Sequence, residues 1–304
     1  MYKILLIGAG HLGRRYIEGI LRTNHSLTLH VVDKSTSAIN EAKKIIVPYE
    51  KEINFSQDLP NKTSFDLIII ATTATNRSDL IEKLNLKYDP NHWIIEKVLE
   101  QSVSNLEKIN QILRNKNAYV NTPRRINGLY NCTKYPKKNF KFTVEMHDFG
   151  IACNAIHFID VVEYLSGQKI LNIDTSGLDD FWIQSKRIGY LDVYGTLNVE
   201  FEKNVNLAIT SLKTKCPVKM EIESEDVKYQ IYENDKYLLK NGKKIFGDFM
   251  YLSEITPLII NQLIKENVCS LTKLSTSVRQ HKILISSLLK HYNRNNSEKE
   301  LRIT

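Results

Sequence analysis

The 304 residues are 42% hydrophobic and 25% charged, which leaves apolar material for two ordinary domains and excludes a disordered or fibrous chain. The formal charge is +8, but the 42 Lys and Arg are spread out instead of forming a block, which favours steering of anionic small molecules and argues against a nucleic-acid surface. No apolar run is long enough to cross a bilayer and no signal-peptide pattern opens the chain; Cys132, Cys153, Cys216 and Cys269 have neither C-x-x-C nor disulfide-framework spacing, so a cytoplasmic protein without membrane partners is expected.

The chain begins KILLIGAGHLG. An apolar strand over residues 4–7 runs into Gly8, Gly10 and Gly13 in G-x-G-x-x-G spacing, and a helix is expected over 14–21. In that arrangement Gly8 makes the tight turn, Gly10 lets the backbone approach a pyrophosphate and Gly13 lets helix and strand pack closely. Backbone N–H groups of the helix start, including those at His11 and Leu12, are left facing the anion. A second strand, 27–32, ends in Asp33, about twenty residues after Gly13, where a carboxylate accepts from ribose hydroxyls. A 2′-phosphate at about 4 Å would meet repulsion of a few kcal/mol, so NAD is expected; the neighbouring Lys34 softens that repulsion and keeps NADP open.

Ser35 is the expected cap of a helix carrying Ile39, Ala42, Ile45 and Ile46, ended by Pro48. Extended segments follow at 53–55 and, after a loop at 60–64, at 67–71, whose uninterrupted apolar run suits a parallel strand buried on both faces. Ala71, Thr72 and Asn76 lie at that strand's carboxyl end, where ligands of doubly wound sheets sit, with N-capping of the next helix, 78–86, as the competing role. A strand at 93–95 delivers Glu96 and Lys97 to the same edge; a helix at 103–114 and a strand at 119–120 complete a β-α-β-α-β-β-α-β-α-β unit over residues 1–122.

These residues resemble the Gfo/Idh/MocA oxidoreductases. The likeness rests on the GAGHLG loop, ATTATN at 71–76 in place of A-T-P-x-x-x-H, Glu96-Lys97 in place of E-K-P, the 121–125 segment, and His157 with Asp160 on the following helix. It implies an α/β Rossmann domain, 1–122, and an α+β substrate and oligomerisation domain, 123–304, built on an open, mostly antiparallel sheet in a homodimer or homotetramer. It also implies hydride transfer between a nicotinamide and a hydroxyl or keto carbon of a sugar, polyol or nucleotide sugar, with surface-polysaccharide or amino-sugar metabolism as the setting. Glu96 and Lys97 then meet the cofactor, and Lys97 and His157 are the substrate-facing acid/base pair. Val98 replaces the motif proline, Arg77 the usual histidine, and Cys153 stands where the helix aspartate is usual. A sensor that binds nucleotide without turnover and a C=C or C=N reductase of the biliverdin reductase type remain as alternatives.

In the second half, 140–147 alternates as a strand and 151–165 is an apolar helix on which Cys153, His157, Asp160 and Tyr164 form one polar stripe. Asp160 is expected to orient or to satisfy His157; Cys153, Asn154 and Arg124 are further substrate or orienting candidates. Cys153 and His157 lack companions at ligand spacing, so no metal is expected. Strands follow at 170–175, 190–201, 205–212, 218–224, 227–232 and 236–239, with a turn at Asn241-Gly242, then helices at 258–266 and 277–292. The polar tail 293–304 is expected to fray.

Overall fold

A computed structural model of the chain describes residues 1–45, 51–61 and 63–304. The expected helix end at Ile46 and Pro48, and Lys62 within the 60–64 loop, lie outside the described residues. The first unit runs β1 (Tyr2–Ile7), α1 (His11–Leu21), β2 (Leu27–Val32), α2 (Thr36–Lys43), β3 (Glu52–Ser56), β4 (Leu67–Ile70), α3 (Arg77–Lys87), β5 (His92–Ile95), α4 (Val103–Ile112) and β6 (Asn117–Val120). Ser35 caps α2 by accepting the Ala38 N–H. Helix α1 begins three residues earlier than its apolar pattern indicates, because Gly10 already accepts the Arg14 N–H.

The second unit runs β7 (Phe140–His147), α5 (Ile151–Ser166), β8 (Ile170–Leu178), β9 (Ile183–Gln184), β10 (Leu191–Asp192), β11 (Gly195–Phe201), β12 (Val205–Leu212), β13 (Lys219–Ser224), β14 (Lys228–Tyr232), β15 (Tyr237–Lys240), β16 (Lys243–Phe246), α6 (Leu252–Glu266), β17 (Thr272–Lys273) and α7 (Leu274–Tyr292). The expected strand 190–201 is interrupted: residues 191–192 pair with β9, and only from Gly195 does the chain join the large sheet.

The first sheet has the order β17-β6-β5-β4-β1-β2-β3, parallel throughout β1–β6. Its central strands β1, β4 and β5 are buried on both faces, which explains their unbroken apolar runs. The order reverses between β1 and β4, so the crevice above their carboxyl ends is the natural ligand site of such a sheet. Residues from the far end of the chain complete this layer. Strand β17 pairs antiparallel with β6, and Ile255, Ile259, Ile260 and Leu263 of α6 share a buried cluster with Tyr16, Ile17 and Ile20 of α1.

The other sheet has eight strands in the order β16-β15-β14-β13-β7-β12-β11-β8. All its pairings are antiparallel except β7 with β12. Helix α5 covers one face and carries eleven buried residues. No helix among the described residues is long and apolar enough to cross a membrane.

The expected fraying of the tail is corrected by the structure. Leu301 and Ile303 are fully buried; the Leu301 N–H donates to the Gln101 carbonyl and the Leu191 N–H to that of Arg302. Two apolar side chains at i and i+2 in a polar segment are sufficient to anchor an extended strap.

Candidate active site

The glycine loop has the geometry a pyrophosphate needs. Gly8 adopts φ +102° and carries the turn; a Cβ on Gly13 would lie 1.9 Å from the Gly8 carbonyl oxygen, whereas one on Gly10 would meet no atom within 4 Å. Gly10 caps α1 without a side-chain acceptor, and the first turn of α1 has no acidic residue. The helix N-terminus is therefore open to an anion. Asp33 closes the loop from β2: Oδ2 accepts the Ala9 N–H at 2.7 Å and Oδ1 accepts the Ser35 N–H at 2.8 Å. Each carboxylate oxygen retains a lone pair for a ribose hydroxyl. Lys34 beside it is exposed. These residues fit NAD, with His11 and Leu12 in the opening turn of α1.

At the end of β4, Ala71 and Thr72 lie beneath the loop: the Ala71 carbonyl is 3.0 Å from the position a Gly8 Cβ would take. The side chains of Thr72 and Asn76 do not cap α3, contrary to expectation. Asn76 is at the cap with φ +54° but makes no side-chain cap bond; Glu100 from the loop after β5 accepts the Ser78 N–H at 2.8 Å instead. Arg77, in place of the usual histidine, has a structural role. It is 1% exposed, and its guanidinium donates to the carbonyls of Glu96, Val98, Leu99 and Thr72. It clamps the ends of β4 and β5 together, and backbone carbonyls replace the hydration that burial removes.

Glu96 does not face the nucleotide as expected. It is buried, and its Oε1 accepts from Tyr16 Oη at 2.7 Å and Asn121 Nδ2 at 2.6 Å, so it ties β5 to α1 and β6. The next residue points the other way. Lys97 Nζ donates to the Cys153 carbonyl at 3.1 Å and to Asn154 Oδ1 at 3.0 Å, linking the Rossmann edge to the first turn of α5. Burial pulls the Lys97 pKa below the ordinary lysine value, with Arg187 and Arg77 adding repulsion.

Lys97 and His11 form one side of a cleft of about 820 Å³; the other side comes from Asp148–Gly150, Cys153, Asn154, the β9–β10 hairpin with Ser185, Lys186 and Arg187, then Asp192–Tyr194, Ser211 and Thr304. Thr304 Oγ1 accepts the Ala74 N–H at 3.0 Å, and Tyr190 Oη lies 3.0 Å from Thr75 Oγ1. The strap and the hairpin thus hold the β4–α3 turn against the second unit.

The polar stripe of α5 is divided among three environments. Cys153 lines the cleft; burial and the Asp192 carboxylate push its thiol up to about 11, so it stays protonated. His157 lies one turn further along, with Nδ1 buried and unpartnered among the described residues. Burial first, then the charges of Lys97 and Arg124, hold its pKa well below the usual histidine value. The imidazole is neutral at physiological pH and does not need to share a proton with Asp160. Asp160 does not orient His157: it is fully buried, receives Arg125 Nε at 2.9 Å and Nη2 at 2.6 Å, and accepts from Thr272 Oγ1 at 2.7 Å. Tyr164 ends the stripe at the surface against Asn131.

Arg124 is likewise engaged away from the cleft. Its Nε and Nη2 meet Glu233 at 2.9 and 3.1 Å, and its guanidinium stacks 4.1 Å above the Phe158 ring. The residues not expected from the sequence are those of the opposite wall: Asp148, Ser185, Lys186, Arg187, Asp192, Tyr194, Ser211 and Thr304. Their segments are short and irregular, and no periodicity marks them.

Residues 2–122 match the family model GFO_IDH_MocA, an oxidoreductase family with an NAD-binding Rossmann fold. No curated protein matches. Solved structures share the fold across almost the whole chain. An oxidoreductase from Agrobacterium radiobacter in complex with NAD+, L-tartaric acid and magnesium is 12% identical, with 97% of each chain covered and a TM-score of 0.72. The scyllo-inositol dehydrogenase of Lactobacillus casei with NAD(H) and scyllo-inositol is 15% identical, with 97% and 98% covered and a TM-score of 0.68. The UDP-N-acetylglucosamine 3-dehydrogenase of Acidithiobacillus ferrooxidans is 11% identical, with 96% and 98% covered and a TM-score of 0.69. With its glycine loop and Asp33, the N-terminal unit, residues 2–122, is similar to the Gfo/Idh/MocA family of oxidoreductases with an NAD-binding Rossmann fold, and the chain as a whole shares the fold of these solved structures.

Proposed function

We propose that the protein is an NAD-dependent dehydrogenase that transfers a hydride between the nicotinamide and a hydroxyl or keto carbon of a sugar, polyol or nucleotide sugar. The observation that carries this reading is Lys97, whose ammonium stands in the cleft between the glycine loop and α5 and uses two of its three donors on the Cys153 carbonyl and Asn154. Bound NAD supplies the hydride chemistry; the protein holds the reacting carbon and moves the hydroxyl proton.

Lys97 donates its remaining N–H to the carbinol or carbonyl oxygen. Its lowered pKa raises the fraction of neutral amine available to take the hydroxyl proton during oxidation. His157, kept neutral by burial, is the second acceptor on the same helix face. Asn154 holds Lys97 in place. The lining of Ser185, Tyr194, Ser211 and Thr304 suits a hydroxylated substrate and does not suit the flat apolar ligand of a C=C reductase. Lys186 and Arg187 at the rim favour a substrate bearing phosphate or carboxylate, which supports the nucleotide-sugar version. Asp33 supports NAD over NADP.

The test is a fluorescence titration with NADH and NADPH, followed by turnover on cyclitols, sugars and UDP-sugars. Lys97→Met is expected to lower turnover by about 10²–10⁴-fold while NADH affinity stays within about twofold of native. Absence of NADH binding overturns the reading. Tight NADH binding with sugar binding but no turnover supports the sensor alternative.

A further inference from the structure

Asp192 belongs to neither the expected catalytic pair nor the nucleotide loop, yet it is the most enclosed carboxylate of the cleft. It is 6% exposed and stands on β10 next to the first turn of α5. Its Oδ1 accepts the N–H groups of Ala152 and Val193, both at 2.9 Å. The first contact caps α5, whose own cap residue, Gly150, has no side chain to do so. The two bonds also fix the plane of the carboxylate.

The second oxygen is differently placed. A Cβ on Gly150 would lie 2.7 Å from Asp192 Oδ2, and Gly150 has φ +77°, so the backbone leaves room for this oxygen that any other residue would remove. Among the described residues, Oδ2 accepts no backbone N–H, and the Cys153 thiol lies near the carboxylate. A protonated thiol is a weak donor. Lys97 shares this part of the cleft, and among the described residues its third N–H is uncommitted. At the first turn of α5 the cleft thus presents a strong donor from one side and an enclosed, under-used acceptor from the other.

We propose that Asp192 is a substrate-binding residue: Oδ2 accepts a hydrogen bond from the hydroxyl adjacent to the reacting carbon while Lys97 donates to the oxygen on that carbon, so that the site selects a vicinal diol or hydroxyketone. The inference rests on the dehydrogenase reading and adds to it the arrangement of hydroxyls required. A substrate lacking the adjacent hydroxyl leaves a buried carboxylate oxygen unpaired, and sites of this kind reject the deoxy analogue by on the order of 10–100-fold or more.

The experiment measures binding to the protein–NADH complex by calorimetry, using scyllo-inositol, myo-inositol and UDP-N-acetylglucosamine, each against the analogue lacking one hydroxyl of the diol. Asp192→Asn is the informative variant, because its carbonyl oxygen still accepts the Ala152 and Val193 N–H groups while a donor replaces the acceptor facing the cleft. The native protein is expected to prefer at least one diol over its deoxy analogue by on the order of 10–100-fold. Asp192→Asn is expected to lose most of that preference, with NADH affinity and melting temperature unchanged.

Native-like discrimination in Asp192→Asn overturns the inference and leaves Asp192 as a helix cap. So does equal binding of every diol and its deoxy analogue by the native protein, or no binding of any of them. Should Asp192→Asn fail to fold, the native ratio alone decides. Failure of the native protein to bind NADH defeats the dehydrogenase reading itself and is seen before any sugar is added.

Discussion

The nucleotide side of the molecule is built on residues 8–13 and 71–76, two stretches at the ends of neighbouring parallel strands, and gives His11 and Lys97 to the cleft, whereas the facing wall gathers residues 148–154, 183–187, 192–194, 211 and 304 from short strands and their turns, the strand β12, one helix start and a terminal strap. The first wall is a backbone device: its positions follow from glycine conformation and strand order, and its chemistry is carried by N–H groups. The second is a side-chain device held by long-range hydrogen bonds, such as Asp192 on Ala152 and Thr304 on Ala74. The first can accept one common ligand in many proteins, while the second is free to vary with the substrate.

The largest expected effect breaks the backbone wall at its tightest point. Gly13→Val brings a side chain onto the Gly8 carbonyl, within 1.9 Å of its oxygen at Cβ, and is expected to abolish NADH binding and to cost more than about 3 kcal/mol in a urea melt. Gly10→Val sharpens the point: with no atom within 4 Å of the added Cβ, stability is expected to change by about 0.5 kcal/mol or less while NADH affinity falls at least about tenfold, one such factor being about 1.4 kcal/mol. Native NADH affinity in Gly10→Val would contradict the assignment of that face to the pyrophosphate.

A smaller effect is expected on the side-chain wall. Removal of residues 301–304 takes away two fully buried side chains, each contributing about 1.5–3 kcal/mol, offset in part by the chain entropy released. The net loss is expected to be about 2–4 kcal/mol in a melt, with the β4–α3 turn freed from Thr304. An unchanged melt would show that the strap does not hold the walls together.

The smallest effect separates the two regions by pH. His281 of α7 is fully buried, and its pKa is lowered to about 4, chiefly by burial; His157 is lowered in the same direction. In the unfolded chain both titrate near 6.5. Between pH 4 and 6.5 the unfolded state therefore binds more protons, so stability rises with pH through that window and is lost as pH falls. About 2 kcal/mol from His281 is expected to be lost between pH 7.5 and pH 5. His281→Asn should flatten this part of the stability profile, and an identical profile in the variant would remove His281 as its source.

Much of the first unit was legible in the residues. Four uninterrupted apolar residues, 67–70, make a strand buried on both faces; Ser35 caps the helix it precedes; Gly8, Gly13 and Asp33 stand where the dinucleotide pattern puts them. The side chains at the sheet edge were less legible. Glu96 and Lys97 are adjacent in sequence, yet one is buried against Tyr16 and Asn121 while the other reaches the cleft, a consequence of successive side chains leaving the backbone in opposite directions. Asp160 reads as an orienting site residue but is consumed by Arg125 and Thr272, and Arg77, which stands in place of the usual histidine, is consumed by the carbonyls of Thr72 and Leu99.

By itself the sequence determined the local devices: apolar periodicity, glycine torsions, helix caps and the βαβ order that brings a nucleotide to the ends of β1 and β4. Those depend on neighbours within a few residues, and their physics is contained in a short window. Only the tertiary structure decided that Asp192 would meet Cys153 and Gly150, that Glu100 would cap α3, and that a polar tail would close the cleft. Each is a pairing of a donor or an apolar side chain with a partner brought near by packing, and the free energy that selects it, desolvation against a new hydrogen bond, exists only once both are buried together.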